Sequence, residues 1–510
     1  MDAELLVEKL LAYAERNLYL QPVDTIYMRN TLLAELKLQA PCEGEADVSD
    51  VAAMDVPDEL NAAIAAYAVE HGLTDEANAE RYCARIFGML TPLPSKINEE
   101  FAALRAQSPQ AACDYLYNIS VKNGYIQKTA ISRNLQWSYD DGANVLEITV
   151  NLSKPEKNNK DIAKLLSAPQ SRKYPMCALC KENEGFEGAG THPPRQNIRT
   201  VKVELGGEKW FLQYSPYAYY NEHCIAIAEK HAPMRCDGTT VRKLLDFVDF
   251  LPNYFIGSNA SLPIVGGSIL NHEHFQGGRH TMPMHRARIR RQLFADKYPQ
   301  LRVGILDWYN SGIQVEGEDK AAVAELAAHI IEAWKGFSCP ACDILSETDG
   351  TPHNTVSPIC RKVGDTYVFT MLLRNNRTDE RYPDGIFHVH PEYQNIKKEG
   401  IGLIEAMGLF ILPGRLKRQL DAIEDILCGA AAYDPAALEE ESNDLYVHRH
   451  MLADMLGQGK QPSKQAAHAY VEEYIGKVCV HILDNTAVFK RDEAGEAGFM
   501  QFAAAAGLHE

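Results

Sequence analysis

The chain has 510 residues, of which 46% are hydrophobic and 24% are charged. A chain of this length exceeds one compact core, so we expect roughly two to four domains. There are 51 Lys and Arg against 69 Asp and Glu, which gives a formal net charge of −18. Because such a surface repels nucleic-acid phosphate, the composition argues against a nucleic-acid-binding protein.

The N-terminal segment and the hydropathy pattern predict a soluble, cytoplasmic protein. Residues 1–9 lack a basic stretch followed by an apolar core and are typical of an amphipathic helix. No stretch reaches about 18 uncharged apolar residues, so we expect no membrane span. The 12 cysteines are scattered along the chain, which is typical of reduced thiols rather than of a disulfide framework.

Hydrophobic periodicity predicts helices at the start of the chain and strands after them. The predicted helices cover residues 2–38, 58–70, 75–90 and 97–107. The pattern changes after residue 115 to short apolar or alternating runs, which predict an antiparallel sheet. These runs lie at 126–131, 146–152, 198–205, 210–214 and 223–227.

The second half of the chain has a similar pattern. A helix predicted at 239–255 precedes a glycine-bracketed strand with a His-x-His motif. The elements predicted after it are a helix at 320–336, strands within 355–373, a His-x-His strand at 387–390 and a helix from about residue 397. Because a Cys-x-x-Cys pair precedes His-x-His in both halves, the sequence suggests an internal duplication. The last 80 or so residues are predicted to be helical.

The segment with the clearest chemistry is 266–278, which reads Gly-Gly-Ser-Ile-Leu-Asn-His-Glu-His-Phe-Gln-Gly-Gly. Side chains two apart on a strand share a face, so we expect His272, His274 and Gln276 to point to one site. Two imidazoles and a neutral amide suit nucleophilic attack on phosphorus, and the glycines let the backbone approach a bulky anion. A hairpin strand with incidental histidines is the alternative.

Two cysteine pairs have the spacing of half a metal site. Cys177 and Cys180 need two further ligands to complete a tetrahedral zinc site, and His231 and His272 are the candidates. Buried structural thiols or a redox pair are the alternatives for these two cysteines. The second pair, at positions 339 and 342, is predicted to consist of buried thiols.

Other polar clusters suit a nucleotide and a sugar. They lie at 195–199, 213–223, 353–355 and 373–377. Arginines offer forked donors to phosphate, tyrosines stack on or bond to a base, and amides select sugar hydroxyls. Each cluster alone is typical of a loop, but together they predict a substrate site. His388 and His390 are either a second metal or substrate contact or satisfied histidines of a core strand.

Taken together, these motifs resemble the bacterial galactose-1-phosphate uridylyltransferases of the longer, Firmicutes-type class, known as class II. The central segment is similar to the signature of the histidine-triad superfamily, with glutamine in place of the third histidine. The resemblance spans roughly residues 15–430. It implies an α+β fold with tandem histidine-triad-like units, in which antiparallel sheets are flanked by helices, and an N-terminal helical region.

We place the domain boundaries from the element pattern and this resemblance. The N-terminal helical region takes residues 1–110, the first histidine-triad-like unit with the catalytic strand 111–300, the second unit 301–435, and a C-terminal helical region 436–510.

The resemblance also implies roles for individual residues. His274 is the nucleophile, and Gln276 bonds the transferred phosphoryl group. The residues that match the metal ligands of the shorter class of the family are Cys177, Cys180, His231 and His272. The residues assigned to substrate binding are Ser268, Asn271, Asn197, Arg199, Gln213, Tyr217, Asn221, Arg374, Asn375, Arg377, His388, His390 and Lys398. The chain departs from the shorter class at Glu273, where that class has proline, and at Ile269, where it has serine.

The implied reaction exchanges UMP between UDP-glucose and galactose 1-phosphate through a uridylyl-histidine, in galactose metabolism. The ring nitrogen of His274 that does not attack must then donate its proton to a fixed acceptor, which we expect to be a backbone carbonyl near His272. The expected cofactor is structural zinc, without an organic cofactor, and the expected assembly is a homodimer without nucleic-acid or membrane partners. The alternatives are a dinucleoside polyphosphate phosphorylase or adenylyltransferase on the same fold, or a zinc-stabilised binding protein without turnover.

Overall fold

The computed structural model describes residues 2–153, 174–189 and 192–510, with helices towards both ends of the chain and strands between them. The helices are α1 Ala3–Asn17, α2 Thr25–Glu35, α3 Asp58–Glu70, α4 Ala79–Leu90, α5 Pro94–Gln107, α6 Pro109–Lys122, α7 Lys128–Ile131, α8 Gly238–Phe250, α9 Lys320–Lys335, α10 Leu403–Ala406, α11 Arg415–Leu427, α12 Pro435–Leu438, α13 Arg449–Gly457, α14 Lys464–Thr486 and α15 Glu493–Ala505. Within the described ranges, no helix is long and apolar enough to cross a membrane.

The strands lie between the N-terminal and C-terminal helices. They are β1 Leu135–Asp140, β2 Val145–Asn151, β3 Val201–Leu205, β4 Glu208–Tyr214, β5 Cys224–Ala228, β6 Phe255–Gly257, β7 His274–Gly278, β8 Ile289–Leu293, β9 Arg302–Leu306, β10 Gly312–Gly317, β11 Glu347–Thr348, β12 Thr351–Pro352, β13 Asn354–Val363, β14 Thr366–Asn375 and β15 Leu409–Pro413. The predicted α+β class is confirmed.

One large sheet organises the molecule. It has 10 strands in the order β3-β4-β5-β7-β6-β13-β14-β10-β9-β8, and every neighbouring pair is antiparallel, as predicted. A second sheet of three strands has the order β1-β2-β15, with β15 parallel to β2. That parallel pair was not expected from the sequence.

The two halves of the large sheet repeat one topology. The first half runs β3, β4, β5, α8, β6, β7 along the chain and the second runs β8, β9, β10, α9, β13, β14, with matching orders in space. The duplication is therefore present. However, the motifs that suggested it are not equivalent, because the first cysteine pair precedes β3 whereas the second follows α9. The strand equivalent to β7 is β14, which ends before the second His-x-His motif.

Each face of the large sheet is covered by a different layer. Phe275 and Cys360 belong to the core shared with the residues of α8 and α9, and Phe275 stacks on Trp210 with ring centroids 4.7 Å apart. Ile359 and Leu372, on the opposite face, pack with the small sheet and helices α11 and α14. Helices α1 to α4 bury a separate cluster of their own, as expected for the predicted N-terminal helical region.

Two predicted elements in the first half are wrong for local reasons. The run at 126–131 is not a strand, because the Ile126 amide donates to Ser120 O and turns the chain back onto α6 before the short helix α7. The helix predicted to reach residue 255 ends at Phe250. Pro252 follows, and the residues after it form β6 at the centre of the sheet.

Three predictions around the histidine motifs also differ from the structure. Only His274–Gly278 of the glycine-bracketed segment is a strand, because Gly266 lies in a folded loop where a Cβ would be 2.5 Å from Ala260 O. Residues 387–390 are in a loop rather than a core strand. The helix predicted from residue 397 is the single turn α10, and the apolar residues after it instead form β15 against β2.

Arg199 and Asn197 were predicted to bind substrate, but the structure uses their donors to join the N-terminal helices to the sheet. The Arg199 guanidinium donates to five carbonyls, those of Gly88, Thr91, Pro92, Gln196 and Ile198. Since an arginine side chain has five N–H donors, none is left for a ligand. Asn197 Nδ2 donates to Asn123 O at 3.0 Å, and Asn123 Nδ2 donates back to Asn197 O at 2.6 Å. These contacts correct the prediction and give both residues a structural role.

Candidate functional site

Strand β7 lies between β5 and β6, and this pairing determines which side chains share a face. Ile225 of β5 is opposite Gln276, and Ile227 is opposite His274. Gln213 of β4 is opposite Ile225, so it lies on the same face as the two β7 residues. Glycine is required at position 277, since a Cβ there would be 2.2 Å from Phe255 O of β6.

His274 is buried, and its ring is held by one backbone bond. Its Nδ1 donates to His272 O at 2.8 Å, as the sequence analysis expected. Burial lowers the pKa of the imidazole, which favours the neutral ring. A neutral ring with its proton fixed on Nδ1 presents the Nε2 lone pair to an electrophile.

Gln276, two residues further on, bonds to a histidine of the neighbouring strand segment. Its Oε1 lies 3.0 Å from Nε2 of His223, the residue directly before β5. Because an amide oxygen can only accept, Nε2 of His223 must carry the proton. Burial lowers the pKa of His223 to about 4, so the ring is neutral at pH 7. The Gln276 amide thereby turns its N–H groups away from His223.

A Cys₂His₂ cluster includes His272, two residues before His274. Cys177 Sγ is 3.6 Å from Cys180 Sγ and 3.2 Å from His272 Nδ1, while Cys180 Sγ is 3.3 Å from His231 Nδ1. The four ligand atoms all lie within 4.8 Å of one another, so the cluster could hold a metal ion. The edges of a tetrahedral site with these ligands are roughly 3.5 to 3.8 Å long, which the cluster approaches.

The surroundings of the cluster fit a cation. His272 Nε2 donates to Ala228 O at 2.8 Å, which fixes the tautomer and presents Nδ1 as the ligand atom. The amides of Leu179 and Cys177 donate to the sulfurs of Cys177 and Cys180, at 3.4 and 3.3 Å. Burial raises the pKa of the Cys177 thiol to about 11. A thiolate at this position therefore requires a nearby positive charge, which a bound metal supplies.

The second cysteine pair lies elsewhere. Cys339 is buried and Cys342 is partly buried, and both pack against Gly498 of α15, where a Cβ would be 2.6 Å from Cys342 Sγ. In the described part of the chain, the group at Cys177 is the one that brings at least three His, Cys or acidic ligands together. The prediction of buried thiols thus holds for Cys339, whereas Cys342 is only partly buried.

Several predicted substrate residues lie in the loops before β5 and β7 or on the face of the sheet that carries His274. Ser268 and Asn271 are exposed in the loop before β7, and Gln213 lies on the same face of the sheet as Gln276. Tyr217 lies in the loop before β5, where its ring is 6.2 Å from that of Tyr219, whose ring in turn is 5.4 Å from His223. Asn221 is exposed in the same loop, with its amide 3.5 Å from Arg279 O.

Arg374 and His388 form a second polar group on the same face, three strands away from His274. Gln276 is opposite Gly257, which is opposite Ile359, and Ile359 is opposite Thr370 of β14. Arg374 follows Thr370 by an even number of residues, so it lies on the same face of the sheet as Gln276. Arg374 is fully buried and donates from Nη2 to Ile401 O at 2.9 Å. Its Nε and Nη1, and both ring nitrogens of His388, have no partner among the described residues. Burial lowers the pKa of His388 to about 4.

Four other predicted residues are engaged with protein partners or exposed. Asn375 Nδ2 donates to Leu345 O and Asn354 Oδ1, and Arg377 donates to the carbonyl and carboxylate of Asp343. His390 Nε2 donates to Ile386 O at 3.0 Å, and its ring stacks on Tyr382. Lys398 is exposed, whereas its neighbour Lys397 is buried against Glu405 at 2.8 Å. The structure does not place any of these four at His274.

One residue of the site, His223, is not assigned from the sequence. It belongs to a polar cluster there, but its contact with Gln276 depends on the pairing of β5 with β7. This contact leaves no short-range signal in the sequence.

Comparisons with known proteins support one family along most of the chain. Residues 20–233 match the model described as "Galactose-1-phosphate uridyl transferase, N-terminal domain", and residues 248–453 match that of the C-terminal domain. No solved structure gives a significant match.

Curated relatives agree over nearly their whole length. The galactose-1-phosphate uridylyltransferase of Caldanaerobacter subterraneus subsp. tengcongensis is 43% identical over 99% of this chain and 98% of its own. Those of Clostridium acetobutylicum and Bacillus subtilis are each 41% identical, over 97% of this chain and 98% and 96% of their own. With both domain models matched in order and a relative 43% identical over 99% of the chain, this chain belongs to the galactose-1-phosphate uridylyltransferase family.

Proposed function

We propose that this chain is a nucleotidyltransferase that exchanges UMP between UDP-glucose and galactose 1-phosphate. The observation that carries the proposal is the fixed ring of His274, whose Nδ1 donates to His272 O at 2.8 Å. This bond leaves the neutral Nε2 as the attacking atom, in the row of side chains that also holds Gln276. Family membership and the names of the relatives support the same substrates.

The reaction proceeds in two displacements at one phosphorus atom. Nε2 of His274 attacks the uridylyl phosphorus of UDP-glucose, the bond to the bridging oxygen breaks, and glucose 1-phosphate leaves. The leaving group is a phosphate monoester with a second pKa of about 6, so it departs without a general acid. A phosphate oxygen of galactose 1-phosphate then attacks, the P–N bond breaks, and UDP-galactose leaves with the histidine regenerated.

Gln276 stabilises the phosphoryl oxygens during both displacements. The bond from His223 to its Oε1 directs its N–H groups towards the phosphate, where a preorganised neutral donor is effective. The glutamine amide is also too weak a base to activate water. The uridylyl-histidine is therefore protected from hydrolysis until the second sugar phosphate arrives.

The remaining substrate contacts are proposals of the same kind. Arg374 and His388 are the buried groups with unused hydrogen-bonding capacity, so we assign them to the hexose or its phosphate. The residues that we assign to the nucleotide and phosphates nearer to His274 are Gln213, Tyr217, Asn221, Ser268 and Asn271. The substrate-binding role of Asn375, Arg377, His390 and Lys398 stays a prediction.

The metal at Cys177, Cys180, His231 and His272 is proposed to be zinc in a structural role. With four protein ligands there is no open position, as in structural zinc sites. When bound, the ion neutralises the thiolates and holds the loop of Cys177 against the residues that lead into β7.

The homodimer and the cytoplasmic location stay predictions, which light scattering and cell fractionation would check.

The protein incubated with UDP-glucose should gain the mass of one uridylyl group, which is UMP less one water, and this adduct should disappear on addition of galactose 1-phosphate. His274→Ala should show no adduct, because it lacks the attacking nitrogen. Intact-mass spectrometry gives the readout, with ADP-glucose and a diadenosine polyphosphate as parallel donors. An adduct from the adenine donors alone would favour the phosphorylase alternative, and no adduct from any donor would favour a binding protein.

Gln276→His should hydrolyse UDP-glucose to UMP faster than the wild type in the absence of a sugar phosphate acceptor. The introduced imidazole provides the proton acceptor that Gln276 withholds, so we expect an increase of about 10-fold or more. Release of UMP is followed by chromatography. If the variant releases UMP no faster than the wild type, the protective role of Gln276 is wrong.

Two substitutions of His223 separate orientation of Gln276 from simple packing. In His223→Gln, the amide nitrogen takes the position of His223 Nε2 and can still donate to Gln276 Oε1, so this variant should retain most activity. In His223→Asn, the amide nitrogen takes only the position of Nδ1 and cannot make this bond. We expect His223→Asn to lower kcat by about 10- to 100-fold, as for the loss of an oriented donor. Steady-state kinetics and thermal denaturation check both variants. Equal activity of the two variants at equal stability would contradict this role.

Removal of the metal should destabilise the fold around the active site. The purified protein should contain one zinc per chain, and Cys177→Ser should lose it and unfold at a lower temperature. Elemental analysis and thermal denaturation give the two readouts, with Cys342→Ser as the matched control in the other cysteine pair. Unchanged metal content in Cys177→Ser would contradict the assignment of the ligands.

A further inference from the structure

A buried ion pair is attached to the residue between the two histidines. The carboxylate of Glu273 accepts from Lys243 Nζ at 3.1 and 3.0 Å, and each side chain is only 5% exposed. Lys243 belongs to helix α8, on the side of the sheet opposite to His274. Its ammonium also lies 5.1 Å from the Trp210 ring and 2.9 Å from Glu208, whose side chain is 59% exposed.

The backbone of Glu273 is held on both sides as well. Its amide donates to Ala232 O at 2.7 Å, and its carbonyl accepts from the amide of Ala228 at 3.0 Å. The peptide before it carries the carbonyl of His272, which accepts from His274 Nδ1. The orientation of this one carbonyl therefore decides which nitrogen of the nucleophile is protonated.

Stability alone is a weak reason for such a pair. Removing two charges from water has a large free-energy cost, and an apolar pair of similar volume is often as stable or more stable. A buried charge pair does, however, restrict the chain to one arrangement, since a shift here leaves the buried carboxylate of Glu273 without Lys243. Here that arrangement includes both the proposed metal ligand His272 and the nucleophile.

We propose that Lys243 and Glu273 are positioning residues, which fix the peptide of His272 to Glu273 and thereby hold His274 in its reactive tautomer and direction. This inference rests on the proposed uridylyl transfer to His274. It assigns the pair an effect on the rate of that transfer that is separate from its effect on folding.

Four variants test the proposal: Lys243→Met, Glu273→Met, the double variant, and Glu273→Gln. Glutamine keeps the length and the bond to Lys243, so its kcat should fall less than about fivefold. Lys243→Met leaves the buried carboxylate of Glu273 unpaired and should melt at a lower temperature. Glu273→Met leaves Lys243 with its exposed partner Glu208 alone and should be destabilised less. The double variant should regain the melting temperature but keep a kcat about 10- to 100-fold below the wild type, because misplacement of a reacting group is costly. KM for UDP-glucose should stay within about threefold.

Glu208→Gln is the matched control, since it removes the exposed partner of the same ammonium and should leave kcat unchanged. A double variant that regains full kcat together with its melting temperature would overturn the proposal and leave the pair a purely structural role. The yield and the rate of uridylyl adduct formation in the first turnover distinguish this result from failure of the proposed function. If wild-type protein forms no adduct, the function is wrong; if it forms one and the double variant forms it as fast, only the positioning role is wrong.

Discussion

The pairing of β7 with β5 on one side and β6 on the other is the constraint on which the candidate site depends. It places His274 and Gln276 on one face and directs the residue between them, Phe275, into the opposite core. It also brings the start of β5 beside Gln276, which is why His223 can orient the amide. A shift of one residue in this register would turn His274 towards α8.

His272 connects two parts of the site that the sequence presents as separate motifs. Its ring lies among the cysteines, with Nδ1 3.2 Å from Cys177 Sγ, while its carbonyl accepts the proton of His274 Nδ1. The cluster that could hold a metal ion and the ring of His274 are therefore connected through one residue. A cation bound there would rigidify the segment that enters β7.

The repeated topology explains why one chain provides one nucleophilic strand. β14 occupies the place of β7 in the second half, but it contains no histidine and ends with Arg374 and Asn375. Because β6 and β13 pair at the centre, the two halves form one continuous sheet with a common face. The second half can thus supply a buried arginine and a neutral histidine to the same surface as His274.

The sequence by itself determined the elements whose signals are local. The periodic helices at both ends, the strands β2 to β5 and the alternate placement of His274 and Gln276 follow from side-chain spacing, and the Cys-x-x-Cys pair with His231 and His272 came from spacing and resemblance. Tertiary structure decided what depends on distant partners. From the sequence, Arg199 is a plausible phosphate ligand. In the structure all its N–H groups instead donate to backbone carbonyls, which include those of Gly88, Thr91, Pro92 and Gln196.

Dependence on distant partners also accounts for the other differences between the predictions and the structure. The apolar run at 409–413 is a strand because β2 offers a parallel partner, and β6 was hidden between a helix and a loop. His223 contacts Gln276 because β5 pairs with β7, and Lys243 contacts Glu273 because α8 packs on the sheet. The two residues of each pair are tens of residues apart in the chain, so their spacing does not predict the contact. Local patterns thus identify the chemical groups, whereas the three-dimensional arrangement decides which of them remain free to react.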